Sequence, residues 1–391
     1  MRADVLSPTT WKPMTRTLAL LSTVSACLAG AARADGPVID PSAARADAKA
    51  GLLWYDVRSV GVEGQGWTDT KAPFDRLPAK AEKLVRPPVW NLARNSTGLC
   101  IRFVTDADTV HAKWTLTGLT LALPHMPATG VSGLDLYAKT DAGRWQWVAN
   151  GRPSGPTTTA RLVTGLPAGP REFLLYLPLY NGVSAVEIGL PRVSRLMKAD
   201  DRPAGKRKPV VFYGTSITQG GCASRPGMVH TAILGRRLGV PVINLGFSGN
   251  GTLDPELAPL LGEIDAAVYV LDCLPNLDAA RVAERTGLFV TALRKARPDT
   301  PILLVEDRSY TNAVLLAGQR RHNTDNRAAL KKAFGELTAA GVANLHYLPG
   351  DKLLGDDGEG TVDGSHPTDL GFLRQADAFA DVLGPLLDAK Q

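Results

Sequence analysis

Ser216 is the residue in this sequence best placed to do chemistry. It stands in VVFYGTSITQGG, residues 210–221, where four apolar residues read as a buried strand that ends abruptly at Gly214-Thr215-Ser216. From Pro226 a helical pattern begins, with Leu234 and Leu238 four residues apart. A serine on a loop between a buried strand and a helix stands at the carboxyl edge of a sheet, where open α/β folds hold their ligands. Gly214 lets the backbone turn sharply, and a helix amino terminus offers N–H groups and a positive dipole end to a developing oxyanion. The same position also suits a helix N-cap, a purely structural use. Three further polar blocks lie downstream: Asn244-Leu245-Gly246-Phe247-Ser248-Gly249-Asn250-Gly251, Asp272-Cys273-Leu274-Pro275-Asn276 and Asp363-Gly364-Ser365-His366-Pro367.

In order and spacing, these four blocks resemble the SGNH (GDSL-like) hydrolase family. The family takes its name from a serine, a glycine, an asparagine and a histidine, here Ser216, Gly249, Asn276 and His366. The first block reads GTSIT, so Thr215 stands where the family name has an acidic residue; that position is not one of the four letters. The resemblance implies acyl transfer from an ester. Ser216 attacks, His366 takes its proton and returns it to the leaving alcohol, and Asp363, on the same loop, orients the imidazole. The oxyanion hole maps onto the N–H groups of Ser216 and Gly249 and the side chain of Asn276. Gly246 and Gly251 stand close by in sequence, but the Ser248-Gly249 pair matches the family block best. Each assignment has a bland counterpart: Asp363-Gly364 makes a good turn, and Asn276 after Pro275 suits a cap. Arg225, near the serine, is a candidate substrate-binding residue or a surface ion pair. Glu306-Asp307-Arg308 ends a strand on the same edge and receives no role, and His230 reads as structural. The chain has no GxxxxGKS loop and no HExxH, so neither cofactor nor metal is expected.

The elements that position these residues fall into two kinds. From residue 209 onward, buried strands at 210–213, 240–245, 266–271 and 301–305 alternate with helical stretches. Val282, Phe289, Leu293 and Ala296 mark one helical stripe, Leu330, Phe334 and Leu337 a second, and Phe372, Ala376, Phe379 and Leu383 a third. The expected fold is α/β, a doubly wound, mostly parallel sheet of the flavodoxin-like SGNH type, over residues 209–391. Residues 35–197 read instead as many short strands, among them 98–104, 110–116, 134–138, 144–148 and 172–177, broken by Gly, Pro, Asp and Thr. That is the pattern of an all-β sandwich. Gly133-Leu134-Asp135-Leu136-Tyr137 resembles the GxDLY signature of a domain that precedes one branch of GDSL-like hydrolases. Residues 198–208, charged and punctuated by Pro and Gly, read as a linker. Sandwich packing accounts for most of Trp54, Trp67, Trp90, Trp114, Trp145 and Trp147, with a sugar platform as the alternative. His125 reads as a loop residue, and Asp135 as an acid tied to backbone N–H groups.

At 391 residues, with 44% hydrophobic and 21% charged residues, the chain can bury two cores. A net charge of +6, partly from the amino end, is too mild to imply nucleic acid. Residues 1–34 read as an export signal, with Arg16 before an apolar run at 18–28 and small residues before Asp35, too short to span a bilayer. The expected location is periplasmic or extracellular. Val24-Ser25-Ala26-Cys27 also resembles a lipoprotein box, which would lipidate Cys27. Cys100, Cys222 and Cys273 remain after cleavage, so at most one bridge can form; Cys222–Cys273 is conceivable, free thiols the leading expectation. The leading function is an exported serine esterase acting on small acyl esters, acetyl foremost, on carbohydrate. A lipase or thioesterase for longer chains, acyl transfer to a sugar, and a catalytically silent carbohydrate-binding protein are the alternatives.

Overall fold

Alternation of side chains drives the amino-terminal part. Along Val110–Leu116, Val110, Ala112, Trp114 and Leu116 are buried and the residues between them are not, so one face of the strand meets a core. In the computed structural model, which describes residues 36–388, this strand is one of ten that form two antiparallel sheets. They are β1 (Arg45–Asp47), β2 (Leu52–Asp56), β3 (Cys100–Thr105), β4 (Val110–Leu116), β5 (Leu134–Lys139), β6 (Trp145–Gly151), β7 (Thr157–Val163), β8 (Arg171–Tyr176), β9 (Val183–Pro191) and β10 (Leu196–Lys198). The sheet orders are β1-β2-β9-β4-β7 and β10-β3-β8-β5-β6. Inward residues of both sheets, among them Tyr55, Phe103, Trp114, Phe173 and Ile188, share one core. The export segment and Cys27 lie outside the described residues.

The second part is a five-stranded parallel sheet in the order β12-β11-β13-β14-β15. Its strands are β11 (Val210–Gly214), β12 (Val242–Gly246), β13 (Val268–Asp272), β14 (Ile302–Val305) and β15 (Leu345–Leu348). The helices, in chain order, are α1 (Pro87–Ala93), α2 (Ala128–Val131), α3 (Ser216–Gln219), α4 (His230–Leu238), α5 (Leu257–Gly262), α6 (Ala279–Ala296), α7 (Ala317–Ala339) and α8 (Asp369–Asp388). Every residue of β11 and β13 is buried, as expected of strands covered on both faces. Val211 and Tyr213 face a core shared with α5, α6 and α7. Val210 and Phe212 face the opposite core, closed by α4 and α8. The stripe Phe372, Ala376, Phe379 and Leu383 is buried there in full.

The boundary between the two parts is not a single point in the sequence. Trp67, Leu77, Ala81, Val85, Val89, Trp90 and Ala93, expected in the sandwich, pack on the parallel sheet instead. Aromatic and aliphatic character specifies that a segment is buried, not which sheet buries it. Residues 198–208, expected as a linker, are pinned along their length: Arg202 pairs with Glu63 at 2.6 Å, and the Lys206 ammonium donates to the Leu238 carbonyl at 2.9 Å.

Arg76 is the keystone of that docked segment. It is 1% exposed, stacks over Phe247 at 5.0 Å, and donates to the carbonyls of Leu92 (2.7 Å), Asn95 (2.9 Å), Asn244 (3.0 Å) and Gly246 (2.8 Å). Burial drags its guanidinium pKa down to about 9. Arg76→Met removes every donor while those carbonyls stay desolvated, so unfolding in urea should show a loss of at least about 3 kcal/mol. A loss under about 1 kcal/mol would refute the keystone role.

Candidate active site

Gly214 closes β11, and the chain turns at once into the one-turn helix α3. A Cβ at 214 would lie 2.0 Å from Thr218 Oγ1 and 2.8 Å from the Asp272 carbonyl oxygen, so only glycine fits. Thr215, not Ser216, is the N-cap: its hydroxyl accepts from the Ile217 N–H at 3.2 Å. That leaves the Ser216 hydroxyl free for another partner. The helix ends at Gly220 in the left-handed region, φ 106°.

Ser216 Oγ lies 2.7 Å from His366 Nε2, and His366 Nδ1 lies 2.7 Å from Asp363 Oδ2. The Asp363 loop is rigid for local reasons. Its Oδ1 accepts from the N–H groups of Ser365 (3.0 Å) and His366 (2.8 Å), and the Val362 N–H donates to the His366 carbonyl at 2.9 Å. Partial burial pushes the Asp363 carboxyl up, but the His366 N–H, the imidazole and the Ser365 N–H outweigh it and hold the pKa below the ordinary value. A hydroxyl bonded to an imidazole, itself bonded to an ionised carboxylate, can be deprotonated as it attacks an acyl carbon.

Ser216, His366 and Asp363 open onto a cavity of about 220 Å³, which Ile217, Pro275, Asn276, Tyr310 and Ser365 also line. With its carboxamide turned to satisfy both neighbours, the Asn276 oxygen accepts from the N–H groups of Asn250 and Gly251 at 3.1 Å each. Gly249, at φ 66°, lies in the adjoining turn but is not one of the residues lining the cavity.

Residues 207–384 match the model of the GDSL-like lipase/acylhydrolase family, and residues 52–196 match that of the GxDLY domain, the N-terminus of SGNH-hydrolase-type esterases. A crystal structure described as a GDSL-like lipase from Bacteroides ovatus is 35% identical, with a TM-score of 0.81, and the match covers 86% of this chain and 98% of that one. The chain belongs to the GDSL-like lipase/acylhydrolase family. It is an ester hydrolase of the SGNH type. The salicylyl-acyltransferase of a tetracycline biosynthetic pathway shares the fold at 21% identity and a TM-score of 0.65, covering 88% of this chain and 97% of that one. An acetyl xylan esterase from Butyrivibrio proteoclasticus shares it at 13% identity and a TM-score of 0.51, covering 86% and 99%. No curated protein matches the chain.

Arg225 is not among the residues that line the cavity of this GDSL-like enzyme; of its two expected uses the structure shows an ion pair, with a buried acid instead of a surface one. Its guanidinium donates to Asp135 at 2.8 Å and stacks over Tyr137 and Trp147, 5.4 and 5.2 Å from the ring centroids. Asp135 is fully buried and also accepts from the Gly227 N–H and Trp147 Nε1, at 2.8 Å each. A buried carboxylate needs such a counter-charge, so Arg225 is held on the sandwich. The acid and the tyrosine of the GxDLY signature thus clamp the segment that follows the nucleophile turn. Gly227 is obligatory there, since its Cβ would sit 2.3 Å from the Tyr137 ring.

Beneath α3, fully buried Asp272 accepts from Thr218 Oγ1 at 3.1 Å and from Arg308 Nη2 at 3.1 Å. Arg308, expected to have no role, therefore braces the helix that carries Ser216. Burial raises the neighbouring Asp307 to about 7, with the Asp272 charge adding to it against Arg308 and Arg327. His125 is exposed at the tip of a turn closed by paired Leu123 and Met126, and its ring centroid stands 6.5 Å from that of His366. Tyr310 followed a strand on the active-site edge, which was its only signal. Cys100, Cys222 and Cys273 are buried free thiols, and burial pushes Cys222 up to about 12.

Proposed function

We propose that this GDSL-like hydrolase is an exported serine esterase that removes small acyl groups, acetyl foremost, from carbohydrate hydroxyls. The observation that carries the reading is the unbroken Ser216–His366–Asp363 hydrogen-bonded chain opening onto a small cavity. Ser216 attacks the ester carbonyl as His366 Nε2 takes its proton. The N–H groups of Ser216 and Gly249 and the Asn276 Nδ2–H receive the oxyanion. His366 then protonates the leaving alcohol, and water, deprotonated by the same imidazole, releases the acid. A cavity of about 220 Å³ is smaller than the ~300–1,000 Å³ of pockets that enclose drug-sized ligands, which favours a short acyl group. The apolar run at 18–28, outside the described residues, supports export. The carbohydrate assignment draws on that and on fold analogy with the acetyl xylan esterase.

One observation favours a longer acyl chain. Val314, Leu315 and Leu316, in the loop that follows Tyr310, are 76%, 85% and 49% exposed, and they could receive an apolar tail that leaves the cavity. Hydrolysis of p-nitrophenyl acetate, butyrate and octanoate, beside acetate release from acetylated xylo-oligosaccharides, separates the two. The acetyl reading expects acetate to be the fastest ester and the oligosaccharides to be deacetylated. Faster octanoate turnover with no deacetylation would replace it by the lipase reading.

A further inference from the structure

Gln219, the last residue of α3, is fully buried and three residues from the nucleophile. Its carboxamide uses both ends. Oε1 accepts from the Ser248 N–H at 2.9 Å, while Nε2 donates to Asn95 Oδ1 at 3.1 Å and to the Leu179 carbonyl at 3.2 Å. Ser248 is held at its other side too, because its carbonyl accepts from Asn250 Nδ2 at 2.8 Å. In a trans peptide the N–H points opposite the preceding C=O, so fixing the Ser248 carbonyl fixes the direction of the Gly249 N–H. Gln219 thereby links the serine turn to the turn that presents Gly249.

What holds Gln219 comes from outside the parallel sheet. Leu179 and Tyr180 lie between β8 and β9 of the sandwich, and their N–H groups are tied to the carbonyls of Gly130 (3.2 Å) and Val131 (3.1 Å). The Tyr180 hydroxyl reaches across and donates to the Ser216 carbonyl at 3.1 Å. One sandwich segment thus touches the nucleophile's backbone and, through Gln219, the Phe247–Ser248 peptide, next in the chain to the Ser248–Gly249 peptide that Asn250 holds. We infer that the GxDLY domain is part of the catalytic machinery: Tyr180 and Gln219 are positioning residues through which it sets the oxyanion donors. The inference rests on reading Ser216 as the nucleophile and Gly249 as a donor. It gives the sandwich a task in the reaction that needs no glycan binding.

The test uses the full chain with Tyr180→Phe and Gln219→Met, each assayed for kcat, KM and inhibition by a boronic acid that forms a tetrahedral adduct on Ser216. A misplacement of about 1 Å in a catalytic group costs up to ~100-fold, so kcat should fall at least about tenfold in Gln219→Met and severalfold in Tyr180→Phe. KM should change less than about twofold, and boronate affinity should fall by the same factor as kcat, because the adduct needs the donors and the ground state does not. Tyr180→Phe removes one oxygen atom and keeps the ring, so it decides the matter if Gln219→Met does not fold. Unchanged kcat and boronate affinity in a folded Tyr180→Phe, or losses confined to KM, would overturn the inference. Ester hydrolysis that survives Ser216→Ala would instead overturn the reading of the site on which it rests.

Discussion

Ser216→Ala should lower ester turnover by about 10⁶-fold and leave the melting temperature almost unchanged. Loss of a triad nucleophile removes the covalent route altogether, and only the rate from binding and oxyanion stabilisation survives, ~10³–10⁴ above water. The imidazole that would activate a replacement faces Ser216: His366 Nε2 is bonded to Ser216 Oγ, while Ser365 and Tyr310, the other hydroxyls that line the cavity, have no such bond to it. The thiols of Cys222 and Cys273 are buried, that of Cys222 pushed up to about 12. Structurally the substitution is mild. The N-cap bond belongs to Thr215, and the Tyr180 hydroxyl bonds the Ser216 carbonyl, which alanine keeps. Acetate release followed beside thermal melting checks both halves. More than about 1% residual turnover, or a large fall in melting temperature, would contradict this account.

How far the site was legible in the sequence depended on how local its causes are. Ser216 stands where a buried strand meets a turn, and Asp363 holds His366 through bonds three residues apart, so a short stretch contains both partners. The strand and helix patterns around them are likewise short-range, and the stripe on α8 packs as its periodicity required. The residues that escaped have distant partners. Arg76 and the Asn244 carbonyl are 168 residues apart, and Gln219 and Asn95 are 124 apart. Their roles depend on donors meeting backbone carbonyls after the chain has docked, which no periodicity encodes. Trp67 and Trp90 show the same limit in the core: their side chains demand burial but do not name the sheet. Arg225 shows the converse. Its position near Ser216 in sequence left substrate and an ion pair equally open, and the partner that takes its charge, fully buried Asp135, lies 90 residues away.

Asp363→Asn separates orientation from mere contact. The variant should cost between about 10² and 10⁴ in kcat with a stable fold. An asparagine oxygen can keep both backbone bonds, from Ser365 and His366, so the loop should stay in place. The amide nitrogen then faces His366 Nδ1, where the carboxylate oxygen lay at 2.7 Å. A donor there favours the imidazole tautomer with its proton on Nε2, aimed at Ser216 Oγ. That ring cannot accept the serine proton, and no neighbouring charge stabilises an imidazolium. Asp363 is half exposed, so water can approach both the carboxylate and the imidazole edge. For that reason the loss should fall below the full effect seen when such a carboxylate is buried. Asp363→Ala makes a useful companion, because it removes the wrong donor along with the right acceptor and frees the tautomer. If orientation is the dominant role, the asparagine variant is the slower of the two in kcat. If loop anchoring dominates, the alanine variant is slower and melts lower, and the tautomer argument fails.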